Sequence, residues 1–538
     1  PLFRKTLKEA GLNPHLFEMA NIRDQCSWIH MHELEEATRK AKDLVRMAVT
    51  KLRLLEPLPV VSIDVIQKGL VIGGGLAGMT ATLEMAEQGY EVYLIEKEAE
   101  LGGNLRNLHI TIEDNDVQDH LHTMIQKVED NPLIHIYKNA KIQNIEGYVG
   151  NYKTRFKIEP TPSALPEAGT DQNYSKRFKK NPTPSTFPEP ETEQHPKGLD
   201  IKTQDSEIRE IEHGIIIVAT GAQESVPKEY LYGKDKRVVT QLEFEKWLSN
   251  EKSAEKSETQ HPKSIVMIQC VGSREEDNPY CSRVCCTGAI KNAMRLKEKH
   301  PEANVFILYR DVRTYGAKEK YYREARDKGV IFIRYDKDHK PEVQFKDNIR
   351  SKDNRLIVKI KDPILDRDLE LETDLLVLSA CMVPSEGTQE LAKMLKVPLN
   401  TDGFFLEAHM KLRPVDFATE GIFMAGTCHA PKFIDETISQ ASAAVSRACT
   451  IISKDTYEAE AAIASVNDEI CAGCGICKAV CSYGAIEIIS EGQKHKAQVT
   501  DAVCKGCGSC VAACPSGAME QKGFKSKQLL AMVDAALE

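Results

Sequence analysis

Cysteines are the residues of this sequence most able to do chemistry, and their clustering indicates which chemistry that is. Of sixteen cysteines, eight lie within residues 471–514 and four within residues 270–286, and the other four are scattered. No signal-peptide pattern opens the chain, so a reducing compartment is expected, where such clusters are typical of metal ligation rather than of disulfides. Both clusters therefore predict metal sites.

The C-terminal cysteines fall into two runs, "CAGCGICKAVC" and "CKGCGSCVAACP", with bacterial ferredoxin spacing. In such runs three close thiolates hold one four-iron cluster and the fourth cysteine ligates the other cluster. The expected ligand sets are Cys471, Cys474, Cys477 with Cys514, and Cys504, Cys507, Cys510 with Cys481. Ser482 stands where proline is usual, and a zinc module is the alternative.

A second pattern is typical of dinucleotide binding. Residues 69–103 contain an apolar strand (70–72), Gly73, Gly75 and Gly78 at GxGxxG spacing, a helix, a second strand (91–95) and Glu96 at its end. Glycines permit a tight turn and close approach of a pyrophosphate to the helix N-terminus, and the acid accepts ribose hydroxyls. The alternative to an FAD-binding domain is a Rossmann domain that binds only NAD.

Three later segments favour FAD. "ELGGN" with Gly102 and Gly103, and "GIIIVATGA" with Ala219, Thr220 and Gly221, resemble further signatures of two-dinucleotide flavoproteins such as thioredoxin reductase. "GIFMAGTC" resembles their last FAD motif and contributes Gly426 and Thr427. Thr427 replaces an aspartate that normally binds the ribityl chain.

The four central cysteines occupy the start of a second α/β unit, where a nicotinamide pyrophosphate would rest. The glycine triplet is absent there and only Gly272 remains, so we expect an iron–sulfur cluster on Cys270, Cys281, Cys285 and Cys286 instead. Buried thiols or a redox disulfide are the alternatives. Lys291 lies on the helix expected after Cys286. It is interpreted either as a residue that stabilises an anionic flavin or as a solvated lysine.

Taken in order, these motifs resemble the A subunit of heterodisulfide reductase, together with "GLNPHLFEMANIRDQCSWIH" and "ATRKAKDLVRMAV" near the start. The resemblance implies a cytoplasmic oxidoreductase subunit with FAD and three [4Fe-4S] clusters, and flavin-based electron bifurcation or confurcation. It also implies a homodimer with B/C-like subunits and an iron–sulfur adaptor, hydrogenase or formate dehydrogenase. Cys26 is then either a cluster ligand or a buried thiol.

The implied fold class is α/β, with a thioredoxin-reductase-like core, an N-terminal helical segment and a C-terminal α+β ferredoxin domain. The expected domains are residues 1–60, an N-terminal partial domain and linker helix; 61–235 and 366–465, the two parts of the FAD-binding domain; 236–365, the inserted second nucleotide-type unit; and 466–538, the two-cluster ferredoxin domain. Many family members carry another ferredoxin insert, but here residues 159–213 hold no cysteine and are expected to form a loop rich in proline and charge.

Two rival functions remain at this point. One is a non-bifurcating electron conduit in a quinone-linked or benzoyl-CoA-reductase-type complex, and the other is a scaffold protein whose FAD is structural. The net charge of −9, with both signs mixed along the chain, argues against a nucleic-acid surface. No run of about 18 apolar residues is long enough for a transmembrane segment. An amphipathic helix is predicted over residues 33–55 and must pack against another element.

Overall fold

A computed structural model describes residues 2–59, 61–159, 207–250, 262–345, 355–459, 461–492 and 494–538.

The first sheet of the structure has five parallel strands, and both faces of this sheet are buried. Along the strand Ile215–Val218, for example, Ile215 and Ile217 pack into one core and Ile216 and Val218 into the other. This alternation explains the continuous apolar run, since a strand covered on both sides needs apolar residues at every position. In spatial order the strands are Ile422–Met424, Ile215–Val218, Lys68–Ile72, Glu91–Ile95 and Ile134–Tyr137.

Helices cover one face of this sheet, and a three-stranded antiparallel sheet contributes to the core on the other. The helices are Leu76–Glu87, Val117–Asp130 and Ile434–Ile452, and the antiparallel strands are Ala140–Tyr148, Asn151–Ile158 and Glu207–His213. The predicted loop over residues 159–213 is therefore wrong at its end, because Glu207–His213 pairs with Asn151–Ile158 along its whole length. Residues 160–206 of that prediction lie outside the described residues.

The second unit repeats this architecture. Its parallel strands, in spatial order, are Val238–Thr240, Leu375–Ala380, Ser264–Val271, Asn304–Tyr309 and Ile331–Arg334. Its helices are Gln241–Asn250, Cys285–Lys299 and Glu319–Asp327, and its antiparallel sheet contains Glu342–Phe345, Leu356–Asp362 and Arg367–Thr373. The unit extends past the predicted boundary at residue 365, because Leu375–Ala380 hydrogen-bonds inside its parallel sheet.

The chain crosses between the two units through a short antiparallel pair. Ala222–Glu224 leaves the first unit and Met382–Pro384 returns to it, and the two segments pair with each other. The helix Thr388–Leu395 follows this return. A second small antiparallel pair is formed by Val61–Asp64 and Thr456–Ala459.

The C-terminal domain is a small α+β module that packs on the N-terminal segment. Its strands are Ala464–Val466 with Met519–Gln521 and Ile486–Glu491 with Lys494–Val499, and its helices are Ile476–Ala479, Ser509–Ala512 and Ser526–Leu537. The N-terminal segment contains Leu2–Glu9, a π-helical turn Arg23–Ser27 and the helix Leu34–Leu52, which falls within the predicted residues 33–55. This helix packs against the last helix of the chain, and Gln528 Nε2 donates to Leu54 O at 2.8 Å.

Every helix in the described ranges is too short or too polar to cross a lipid bilayer.

Candidate functional site

The glycine-rich turn before the helix Leu76–Glu87 is shaped by steric demands at two positions. Gly73 has φ +107°, and a Cβ there would lie 2.5 Å from the carbonyl oxygen of Ala219. A Cβ on Gly78 would lie 1.7 Å from the carbonyl oxygen of Gly73, so helix and strand touch here. Gly75 differs, since a Cβ there would have no neighbour closer than 4.0 Å. The space above Gly75 is therefore open to a ligand at the helix N-terminus.

Glu96 follows the second strand of the motif and is 6% exposed. Its Oε2 accepts a hydrogen bond from the N–H of Gly74 at 2.5 Å, and its Oε1 accepts one from the N–H of Glu98 at 2.8 Å. Each carboxylate oxygen has a second lone pair. Glu96 is thus held rigidly at the glycine turn and can accept further hydrogen bonds from ribose hydroxyls.

The remaining flavoprotein signatures converge on the same turn. Gly102 forms a parallel β-bridge with Gly75, and Thr427 Oγ1 lies 3.6 Å from the position of a Cβ on Gly221. The hydroxyl of Thr220 is buried and has no hydrogen-bond partner among the described residues, which is unusual for a polar group unless a ligand satisfies it. The predicted FAD residues assembled around this turn are Gly73, Gly75, Gly78, Glu96, Gly102, Gly103, Ala219, Thr220, Gly221, Gly426 and Thr427.

These features fit a dinucleotide. A cradle that a Cβ would fill, a rigid buried acceptor and an unpaired hydroxyl are the groups that a pyrophosphate and a ribose require. At the far end of the site, Gly426 donates its N–H to Gln440 Oε1 at 2.9 Å, and a Cβ on Gly426 would lie 2.7 Å from that of Ala77. The last motif is thereby packed directly against the first helix.

The four central cysteines come together where the strand Ser264–Val271 ends and the helix Cys285–Lys299 begins. Cys270 adopts φ +63°, a left-handed conformation that is uncommon for a residue with a side chain. The pKa of Cys285 is raised by a hydrogen bond with Cys286, by burial, and by the charges of Cys286, Cys270 and Cys281. The thiols of Cys270, Cys281 and Cys286 thus all lie within electrostatic reach of Cys285.

Arginines surround this thiol group, and no sequence pattern singles them out. Burial and then the neighbouring Cys286 raise the pKa of Cys270 to about 11, while Arg274 and Arg310 oppose the rise. The hydrogen bond from Cys285 lowers the pKa of Cys286, and the backbone N–H and charge of Arg313 act in the same direction. Positive charge beside thiolates stabilises their ionised form, which is the form that binds iron.

Lys291 is buried in an ion pair, so the solvated alternative is wrong. Its Nζ donates to Glu245 Oε2 at 2.6 Å and to the carbonyl oxygen of Ile110 at 2.9 Å. Glu245 Oε1 in turn accepts from the N–H of His109 at 2.8 Å. Burial lowers the pKa of Lys291. The pair thus joins the second unit to the loop that follows the Gly102–Gly103 signature, and no motif in the sequence marks Glu245.

Two cavities in the C-terminal domain are each lined by four cysteines. Cys471, Cys474, Cys477 and Cys514 line the first cavity, and Cys481, Cys504, Cys507 and Cys510 line the second. The structure thus groups these cysteines in the crossed arrangement expected from their spacing, with the fourth cysteine of each run beside the other run.

Backbone groups around these cavities point at sulfur. The N–H of Ala497 donates to Cys471 Sγ at 3.5 Å, and the N–H of Ala464 donates to Cys504 Sγ at 3.4 Å. Within the described residues, no three His, Cys, Asp or Glu side chains are placed to hold a single metal ion. A four-iron cluster makes a different demand, because each of its four thiolates binds a separate iron.

The remaining cysteines belong to none of the three cysteine groups. Cys26 is 1% exposed within the π-helical turn Arg23–Ser27, and its prediction as ligand or buried thiol stays open. Cys428 Sγ donates to the carbonyl oxygens of Val218 and Ala425 in the core of the first unit. Cys381 lies beside the central run, within 3.6 Å of the Ser282 hydroxyl.

Two family models match separate parts of the chain. Residues 71–139 match the NAD(P)-binding Rossmann-like domain model, and residues 470–518 match the 4Fe-4S dicluster domain model. The T. acidophilum thioredoxin reductase structure covers 71% of this chain and 98% of its own, with 13% identity and a TM-score of 0.42.

Full-length relatives are much more similar. One of the two iron–sulfur A subunits of the CoB–CoM heterodisulfide reductase of Methanopyrus kandleri is 42% identical over 100% of this chain and 87% of its own length. The A subunit of the H2:CoB-CoM heterodisulfide,ferredoxin reductase of Methanothermobacter marburgensis is 38% identical over 100% of this chain and 86% of its own. The corresponding H2/formate protein of Methanococcus maripaludis is 36% identical over 90% and 79%. The chain therefore belongs to the family of heterodisulfide reductase A subunits, which are oxidoreductase components that carry iron–sulfur clusters.

Proposed function

We propose that this chain is the FAD- and iron–sulfur-dependent electron-transfer subunit of a heterodisulfide-reductase-like complex. The observation that carries the proposal is the convergence of four cysteines at the end of the strand Ser264–Val271. In a parallel α/β sheet, the carboxyl ends of the strands are where a nucleotide would bind. A cluster there would exchange single electrons with the flavin site in place of a hydride donor.

Each part of the site has a role in this proposal. The glycine turn, Glu96 and the last motif would hold FAD, which would supply a carrier of electron pairs. Cys270, Cys281, Cys285 and Cys286 would hold one cluster, and the eight C-terminal cysteines would hold two more. Lys291 would place a positive charge near the flavin site, with Glu245 fixing its position.

Electron bifurcation or confurcation requires one-electron paths of different potential on the two sides of the flavin site. Cluster potentials follow net charge and hydrogen bonds to sulfur. Arginines lie near the central cysteines in addition to backbone N–H groups, whereas Cys471 and Cys504 of the C-terminal domain accept hydrogen bonds from backbone N–H groups. This contrast supports unequal cluster potentials, which the splitting of electron pairs requires.

Partners follow from the family membership. Relatives are named as components that act with H2, formate or ferredoxin and the CoB–CoM heterodisulfide. We therefore propose a cytoplasmic homodimer that works with B/C-like subunits and with an iron–sulfur adaptor, a hydrogenase or a formate dehydrogenase.

Iron and flavin content per chain, measured with an EPR spectrum, tests this proposal. The wild type should hold one FAD and about twelve irons in three four-iron clusters. A Cys285→Ser, Cys286→Ser variant should lose about four irons and keep its flavin. Cys449→Ser, which changes a half-buried cysteine outside the three groups, is the matched control and should lose none. A wild type with about eight irons would remove the central cluster and contradict the proposal.

A further inference from the structure

Arg283 lies inside the central cysteine run and reaches out of its own unit. Its backbone N–H points at Cys281 Sγ at 3.3 Å, and its φ of +58° is left-handed. Its guanidinium donates to the carbonyl oxygen of Pro431 at 2.9 Å and to Glu436 Oε1 at 2.7 Å. Pro431 and Glu436 belong to the FAD-binding domain. One side chain thus connects the central cysteine run directly to that domain.

The acceptor side of this contact is itself rigid. Glu436 lies in the first turn of the helix Ile434–Ile452, and its Oε2 accepts a hydrogen bond from the N–H of Phe433 at 2.9 Å. A carboxylate in this position also interacts favourably with the positive end of the helix dipole. The guanidinium therefore binds a carboxylate that has one fixed orientation.

Side chains of the second unit reinforce the same interface. The Tyr315 hydroxyl contacts Arg283, and the Tyr315 ring meets the Phe433 ring edge-on with centroids 6.2 Å apart. Lys318 Nζ lies 4.7 Å above the Phe433 ring. Elsewhere the two units are joined covalently only by the strand pair of residues 222–224 and 382–384. Because only two segments connect the units, noncovalent contacts contribute to setting their relative position.

We propose that Arg283 is a positioning residue, which holds the central cysteine run at a set distance from the FAD-binding domain by clamping Glu436 and Pro431. This inference rests on the proposed central cluster. Electron transfer between two centres slows steeply as their separation grows, so a clamp at the ligand loop controls the rate without touching the reacting atoms. A second pair, Lys505 Nζ with Glu420 Oε2 at 2.6 Å, ties the second C-terminal cysteine run to the same domain in a similar way.

The test uses the loaded, full-length chain with Arg283→Met and Glu436→Gln. Gln still accepts the Phe433 N–H, so the helix cap survives while the charge pair is lost. Amide hydrogen exchange at residues 281–286 and 431–438 should become about tenfold faster in both variants, because hydrogen bonds to charged groups are lost. Arg323→Met, an exposed arginine of the same unit, should leave exchange unchanged.

Two further readouts separate positioning from a purely electrostatic role. The rate at which pre-reduced clusters bleach the flavin should fall about tenfold in both variants, as expected for misplaced reaction partners. The midpoint potential of the central cluster should stay the same in a third variant, Arg283→Lys, which keeps the positive charge but lacks the second nitrogen that lets the guanidinium bind Glu436 and Pro431 together. Unchanged exchange and rates, or a potential shift without faster exchange, would overturn the positioning role. If the wild type holds about twelve irons and these readouts are negative, only this inference is contradicted. If the wild type holds about eight irons, both the proposed function and this inference are contradicted.

Discussion

The Nζ atom of Lys291 lies 2.6 Å from Oε2 of Glu245, and their side chains are only 8% and 3% exposed. Glu245 also accepts from the N–H of His109, so the carboxylate is held by both units. Removal of one partner from such a pair leaves an uncompensated buried charge. The pair is thus a stability element as well as a candidate neighbour of the flavin.

Lys291→Met should lower the free energy of unfolding by about 3–5 kcal/mol, because Glu245 would remain charged and unpaired. Adding Glu245→Leu should recover much of this loss, since two apolar side chains can replace a buried pair. Denaturant unfolding followed by fluorescence measures both effects, with the exposed Lys246→Met as control. A loss below about 1 kcal/mol would show that the pair is solvated in solution.

The glycine turn offers a contrast between binding and folding. Gly75→Ala should preserve the fold, since φ is −78° and no atom lies closer than 4.0 Å to the new Cβ, but it should block pyrophosphate approach and abolish flavin absorbance. Gly78→Ala should destabilise the domain itself, because its Cβ would overlap the Gly73 carbonyl. Flavin retention in a well-folded Gly75→Ala protein would argue against this turn as the FAD site.

A matched pair of glycines tests the second C-terminal cavity. Gly506 and Gly517 both have left-handed backbones, with φ of +62° and +68°, so alanine is strained at both positions. Only at Gly506 would the Cβ also meet backbone, at 2.3 Å from the carbonyl oxygen of Ala462. Gly506→Ala should therefore lose about four irons per chain, and Gly517→Ala should lose none. Equal iron loss in both variants would attribute the effect to backbone strain alone.

His213 predicts a pH dependence of stability. It is fully buried, with Nε2 at 2.8 Å from Thr154 Oγ1 and Nδ1 at 3.0 Å from the carbonyl oxygen of Ile215, and burial lowers its pKa to about 3. The unfolded chain binds a proton on this residue near pH 6.5, whereas the folded chain does not. The contribution of His213 to the free energy of unfolding is therefore fully present above pH 6.5 and is lost as the pH falls towards 3.

The measurement compares unfolding at pH 7 and pH 5 in the wild type and in His213→Gln. Between pH 7 and pH 5, the free energy of unfolding of the wild type should fall by on the order of 2 kcal/mol more than that of His213→Gln. His122→Gln, an exposed histidine on a helix, serves as the control and should behave as the wild type does. An identical pH slope in all three proteins would mean that His213 is protonated in the folded state.

Local patterns predict the elements that carry chemistry. The strand Glu91–Ile95 has the expected bounds, because its apolar residues and the turn signals beside it are neighbours along the chain. Such patterns do not predict the strand Glu207–His213, because its charged composition resembles that of a loop. Its partner Asn151–Ile158 is separated from it by a long stretch of chain, and only that pairing makes it a strand.

The sequence by itself determined the cysteine spacing, the glycine turn and the apolar strands, because each depends on residues that are neighbours along the chain. Tertiary structure alone decided which distant charges meet: Glu245 with Lys291, Glu436 with Arg283, and the arginines around the central thiols. Such pairs form between segments that share no periodicity. Their partners are chosen by how the two units dock, and that choice sets the electrostatics and spacing on which electron transfer depends.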